Sequence, residues 1–334
     1  MSINQNDLLV NEDVKKEVVP NVVQKPNTIP TGYVSIYLSS KGKLSAPEVL
    51  HFRNYEYKEI LELSSIYDET YFIDRLIDCL NRMVYENFDC GDFTESELNE
   101  VLMNIHLNFW GKDIKLPYYD IDVDKEKGSN TELKSALVDL SKINTKNIRE
   151  DFKEPINLKL DNDVFKFKLP RIKDVVKAKK EIKLKFREEE KNFTNIKSIM
   201  EFNERAINDD KMDMIRAIDP IQQEEYYKFQ EKKIQSLIYS LQKETLIGLN
   251  NTIATVDYEK QQIFTNSNIG YVLDAFEDIS GNIEYGLDPV YEVTEIDKDL
   301  KEPQIKLRRL EFRPLSFVPK KESNKSKKVD IQFG

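Results

Sequence analysis

Between Phe72 and Trp110 the sequence carries two apolar runs at helical spacing, joined by a short turn and closed at a defined point. Ile73, Leu76, Ile77, Leu80, Met83 and Val84 fall at steps of three and four, which places them on one stripe of a 3.6-residue helix. The turn "ENFDCGDF" follows. Thr94 with Glu97 three residues later then makes a capping box that satisfies two orphan amides of a new helix. Its apolar set is Leu98, Val101, Leu102, Ile105 and Phe109, and Gly111 stands where a left-handed cap would end it. Two helices this close in sequence predict an antiparallel helical hairpin whose apolar stripes must be covered by the rest of the chain.

On either side the periodicity is weaker. Residues 1–30 hold three prolines and no period, the pattern of an extended arm that orders only on a partner. Tyr33 to Leu38 and Val49 to Arg53 alternate as strands, with "SSKG" as a turn after the first, and Glu56 to Ile66 returns to helical spacing. After Gly111, "KLPYYDIDVDKEKGSN" reads as a loop or short edge strand because of Pro117 and its alternating acids. Thr131 to Ile143 reads as a short helix. Ile156 to Leu160 and Val164 to Leu169 read as a hairpin ended by Pro170. A Lys-rich helix from Ile172 follows, then helices at Thr194 to Ile207 and Ile221 to Ile247, split by Pro220. Asn266 or Ser267 caps a further helix closed by Gly281. Two β-prone pieces, "EYGLDPVYEV" and "PQIKLRRLEF", lead to a basic tail. The expected fold class is α+β and mainly α-helical, with short β-strand pairs around the hairpin. Its segments are an arm (1–30), an α+β unit (31–115), a β-hairpin and helical middle (116–260), a C-terminal helix and strands (261–318) and a basic tail (319–334).

The 334 residues carry a formal net charge of −10, which argues against non-specific affinity for nucleic acid. No apolar run approaches the roughly 18–20 residues of a membrane helix, and the N-terminus is polar and acidic where a signal peptide would be basic and then apolar, so a cytosolic or particle-bound protein is expected. The two cysteines, Cys79 and Cys90, are expected to be reduced in a cytosolic setting.

Asp120, Asp122, Asp124 and Glu126 echo the first half of a calcium loop. Lys125 stands where that loop needs glycine and Thr131 where it needs a bidentate glutamate, so a solvated acidic loop is expected. His51 and His106 have no partner at ligand spacing and read as structural. No nucleophile elbow, Walker loop or dinucleotide fingerprint occurs, and pairs such as Asp209 and Asp210 read as solvated surface. No catalytic residue, metal ligand or cofactor is therefore assigned. Lys173, Lys177, Lys179, Lys180, Lys183, Lys185 and Arg187 form a basic block, but Asp174, Glu181 and Glu188 to Glu190 interleave with it, which predicts ion pairing within the helix.

Taken in order, "IYLSSKGKL", "LHFRNYEYKEILEL" and "FIDRLIDCLNRMVYENFDCGDFTESELNEVLMNIHLNFWG" resemble the baseplate hub assembly proteins of T-even-like contractile-tailed bacteriophages. The matching positions are Ser40 to Gly42 in the turn, Phe52 and Arg53 in the strand, Glu59 in the next helix, and Thr94 to Trp110. Near the C-terminus a "Y-G-L" turn at Tyr285 to Leu287 and a closing strand "EFRPLSFV" at Glu311 to Val318 also fit. Paired cysteines carried by some relatives between these pieces are replaced by "VYEVTEIDKDLKEP", so no metal knuckle is expected. The resemblance covers roughly residues 30–115 and 260–318. It implies a non-enzymatic structural or assembly component of the central hub, acting by protein–protein binding. The partners would be hub or tail proteins, with the tape measure protein among the candidates. The place would be the host cytoplasm during assembly and then the virion baseplate. Two other readings stand beside it: a tail assembly chaperone or tape-measure-binding factor absent from the mature virion, and a nucleic-acid-binding protein using the basic block and tail.

Overall fold

The computed structural model describes residues 29–66, 68–120, 134–160, 163–208, 212–249, 283–296 and 303–319. Two units are distinguished, Met1–Thr31 and Gly32–Gly334, and all elements below belong to the second. The extended arm, the acidic residues Asp122, Asp124 and Glu126, the pair Asp209 and Asp210, the helix expected after Asn266 and the Lys-rich tail beyond Pro319 lie outside the described residues.

β1 (Tyr33–Tyr37) and β2 (Val49–Arg53) pair antiparallel from Tyr33 opposite Arg53 to Tyr37 opposite Val49. Alternation sends Ile36, Leu50 and Phe52 into the core and leaves Tyr37 in solvent. The expected turn follows β1, with Lys41 and Gly42 both at positive φ. α1 (Tyr57–Ser64) buries Glu59, whose carboxylate takes a two-pronged pair from Arg53 at 2.8 and 3.0 Å.

α2 (Glu69–Met83) and α3 (Glu95–Phe109) form where the apolar periodicity places helices. Asp68 caps α2, accepting from the amides of Thr70 and Tyr71. Thr94 and Glu97 close the capping box of α3, and Gly111, at φ +108°, ends it with its amide on the His106 carbonyl. α2 packs on α1 and β2, whereas α3 packs on β1. Both feed one core in which Leu76, Leu80, Val101, Leu102 and Ile105 are wholly buried, each contributing about 1.5–3 kcal/mol.

β3 (Asp113–Asp120) and β4 (Lys134–Asp139) come next, and β4 corrects the helix expected over Thr131 to Ile143. Six consecutive pairs with β3, from Asp113–Asp139 to Tyr118–Lys134, hold this segment extended. Asp139 then caps a 3₁₀ turn at Leu140–Lys142. A helix this short is marginal alone, so the ladder wins. β5 (Thr145–Lys146), β6 (Ile156–Leu160) and β7 (Asp163–Phe167) follow, the last two as the expected hairpin.

The helical middle comprises α4 (Ile172–Lys185), α5 (Arg187–Lys191), α6 (Thr194–Asn208) and α7 (Pro220–Thr245). Pro220 opens α7 behind an Asp219 cap. The chain leaves α7 at Leu246, two residues earlier than the periodicity suggests, because β8 (Leu246–Leu249) adds to β7. α4 lies between α2 and α7.

β9 (Gly286–Leu287) pairs with β5, while β10 (Val290–Ile296) and β11 (Pro303–Leu310) complete a four-stranded antiparallel sheet of order β10-β11-β3-β4. β3 is thus an inner strand. Pro117 is tolerated because it stands just before the three positions, Tyr118 to Asp120, that pair with β11, and its carbonyl accepts from the Glu311 amide at 2.9 Å. The segment expected as a closing strand, Glu311 to Val318, contains instead the helical turn α8 (Pro314–Phe317), which buries Phe317 and packs on α3. The chain is therefore a mixed α and β protein with antiparallel sheets.

Candidate functional site

Beneath the N-terminal turns of α3 lies a polar centre that the capping box begins. Glu97 Oε2 accepts from the Thr94 amide at 2.9 Å and from its hydroxyl at 3.1 Å. Tyr285, just before β9, donates its phenol to Thr94 Oγ1 at 2.7 Å. Gly286 then passes so close to α3 that a Cβ there would sit 2.8 Å from Ser96 Cβ, and its φ is +92°. One turn along α3, Glu100 Oε2 accepts from the Ser39 amide at 3.1 Å and hydroxyl at 2.9 Å.

Glu97 and Glu100 are 0% and 1% exposed. Glu97 Oε1 and the Ser40 hydroxyl have no hydrogen-bond partner among the described residues, although Ser40 lies near enough to favour the carboxylate. Burial raises both carboxyls, Glu100 to about 7, and the negative charge of Glu97 adds to the rise at Glu100. Burial likewise lifts the Tyr285 phenol above its usual range.

Arg171, the cation whose charge is felt at Glu97, is only 2% exposed and is already engaged. Its side chain donates to Ser45 Oγ at 2.9 Å, to the Leu169 carbonyl at 3.2 Å and to Glu154 Oε2, while its amide donates to Asp174 at the start of α4. This centre can hold or release a proton. It was legible only at Thr94 and Glu97. Glu100, Arg171, Glu154 and Tyr285 carry no local signal, since they meet only through the fold.

The residues singled out by type are scattered. His51 on β2 lies 2.5 Å through Nδ1 from Glu86, and His106 on α3 bonds through Nδ1 to the Phe317 carbonyl at 3.0 Å, pinning α8. Cys79 and Cys90 are free and buried. Burial pushes the Cys79 thiol up to about 11 and the Cys90 thiol higher still, which leaves both inert. Asp120 ends β3. Among the described residues no group of three or more His, Cys, Asp or Glu is arranged to hold a metal, and no helix is long and apolar enough to cross a membrane.

The Lys-rich helix α4 corrects the expectation of pairing within the helix. Lys173 reaches Asp92 at 2.5 Å, Lys177 reaches Glu244 of α7 at 2.9 Å, Lys180 reaches Asp74 of α2 at 2.8 Å and Lys183 reaches Asp68 at 2.6 Å. These lysines tie α4 to its neighbours.

A different kind of surface covers the outer side of the four-stranded sheet. Ile114, Leu116, Tyr118, Val138 and Leu310 point into the core, so alternation turns Lys115, Tyr119, Leu137, Arg309 and Val290 outward. Leu137 is 73% exposed, although the next residue, Val138, is 1% exposed. Cross-strand register sets Leu137 beside Lys115, and Arg309 between Tyr119 and Val290. Comparison with protein-family models, curated proteins and solved structures finds no match for this chain.

Proposed function

We propose that this chain is a non-enzymatic structural or assembly component that docks on other proteins through the outer face of the β10-β11-β3-β4 sheet, in the central hub of a bacteriophage contractile-tail baseplate. The carrying observation is that face. It sets an exposed leucine and valine and a half-buried tyrosine among two cations, Lys115 and Arg309, that have no ion-pair partner among the described residues. Burying those apolar groups favours a protein partner, and the mixed charges around them, Lys115 and Arg309 with the exposed acids Asp113 and Glu292 on the same face, favour one whose charges are complementary. Nucleic acid is less well served, because four α4 lysines are spent on carboxylates of the same chain. The baseplate setting rests on the sequence resemblance. In this reading α2 and α3, through the core they share, act as the rigid centre, and the arm and tail reach over neighbours.

Mass spectrometry of purified tails and virions against infected-cell lysate tests the setting. The chain should co-purify with tail intermediates. Recovery only in fractions free of tail proteins would overturn it.

A further inference from the structure

Two carboxylic acids one turn apart, fully buried, with no cation among the described residues bonded to either, are costly to ionise together. Both face the same turn: Ser39 holds Glu100, and the unbonded Ser40 hydroxyl lies against Glu97. We propose that Glu97 and Glu100 form a proton-binding site that latches the Ser39–Ala46 turn to α3, closed while the pair holds a proton and loosened as it leaves.

The surrounding groups leave that role to the acids. From the start of α4, Arg171 is committed to Glu154, Ser45 and Leu169, and Asp174 beside it is paired with Lys168 at 2.6 Å. From the β9 strand, Tyr285 spends its phenol on Thr94. The turn meets the pair through the Ser39 amide and hydroxyl and the Ser40 hydroxyl, while its Lys43 is spent on the Arg149 and Glu150 carbonyls and its Lys41 is exposed. Arg171 cannot therefore replace the proton without abandoning its present partners.

The latch sits where several parts of the chain are joined. The Ser39 carbonyl accepts from the Ile148 amide at 2.9 Å, Lys43 Nζ donates to the Arg149 carbonyl at 2.8 Å, and Ser45 receives Arg171. Loosening the turn would slacken the joint between the β1–β2 pair, α3 and the segment leading to β6. Only an O–H bond is made or broken, and the proton passes to water. The Ser39 amide and hydroxyl favour the Glu100 carboxylate, but burial, the largest effect, together with the Glu97 charge outweighs them. With the folded-state carboxyls raised above their unfolded values, the closed form is favoured at low pH and loses ground as pH rises through the folded midpoint.

The test is a titration of the full chain from about pH 5 to 9, reading glutamate carboxyl carbon shifts by NMR together with hydrogen-exchange protection at the Ser39 amide. One carboxyl, at Glu100, should titrate near 7, and Ser39 protection should fall at least tenfold across the same midpoint. Glu97→Gln should lower the Glu100 midpoint by removing a neighbouring charge. Glu100→Gln should abolish the pH dependence of Ser39 protection. Both carboxyls titrating near the ordinary value of about 4.3, or Ser39 protection that is flat in the wild-type chain, overturns the proposal. So does a wild-type transition persisting in Glu100→Gln. If that variant does not fold, the wild-type carbon shifts and exchange decide alone.

Discussion

Replacing Arg171 with methionine is the sharpest probe of how distant segments are joined. The guanidinium is almost completely buried and links the Ser45 turn, the Leu169 carbonyl after β7 and the Glu154 carboxylate, while its own amide starts α4. Methionine keeps much of the aliphatic volume but none of the donors. Removing one member of a buried ion pair costs about 3–5 kcal/mol, chiefly because the other charge is stranded. Glu154 is less stranded than that range assumes: its side chain is 16% exposed, and its other oxygen still accepts from the Leu169 amide at 2.6 Å. The expected loss is therefore about 3 kcal/mol, a large part of the roughly 5–15 kcal/mol that stabilises a typical domain. Urea unfolding of the parent, Arg171→Met, Glu154→Gln and the double variant measures it. The double variant should be less destabilised than the sum of the singles by about 1–3 kcal/mol. A single-variant loss under about 1 kcal/mol, or strict additivity, would refute the claim that this pair holds the junction.

Three further outcomes are expected. Leu76→Ala and Leu102→Ala, each opening a cavity at a fully buried leucine, should destabilise by about 2–5 kcal/mol in denaturant melts; near-parental melting of both would mean that the α2 and α3 stripes are not core. Gly286→Ala combines a positive φ with a Cβ 2.8 Å from Ser96, so differential scanning calorimetry should show a loss of at least about 1 kcal/mol; parental stability would mean that β9 does not press on α3. Glu100 sets the pH profile. A carboxyl raised from 4.5 to about 7 in the fold withdraws roughly 3 kcal/mol of stability as pH rises between those values, and Glu100→Gln should flatten that fall in melts taken across the range.

What the sequence discloses is the local part of the fold. α2 and α3 are legible because their signals are local: the apolar stripe for α2, and for α3 the stripe with Thr94, Glu97 and Gly111 at its ends; the Asp68 cap of α2 shows only in the structure. β4 is not legible, because its extended form is imposed by β3 across the sheet, where Leu137 faces out and Val138 in. The α4 lysines show the same limit: acids at helical spacing suggest pairing within the helix, whereas acids from α2, α7 and the turn before α3 take the bonds. Glu97 is readable as a cap, yet the polar centre it belongs to includes Tyr285, which reaches Thr94 from 191 residues away. Lys115 and Arg309 likewise become neighbours of Leu137 and Tyr119 only once the strand order is set.

Docking through the outer sheet face is tested most directly by changing that face alone. Leu137→Ser with Arg309→Glu alters two exposed positions while leaving the buried side of the sheet intact. The double variant should unfold like the parent chain yet fail to restore tail assembly in a phage lacking the gene. Normal particle yield from a variant confirmed to be folded would contradict the account.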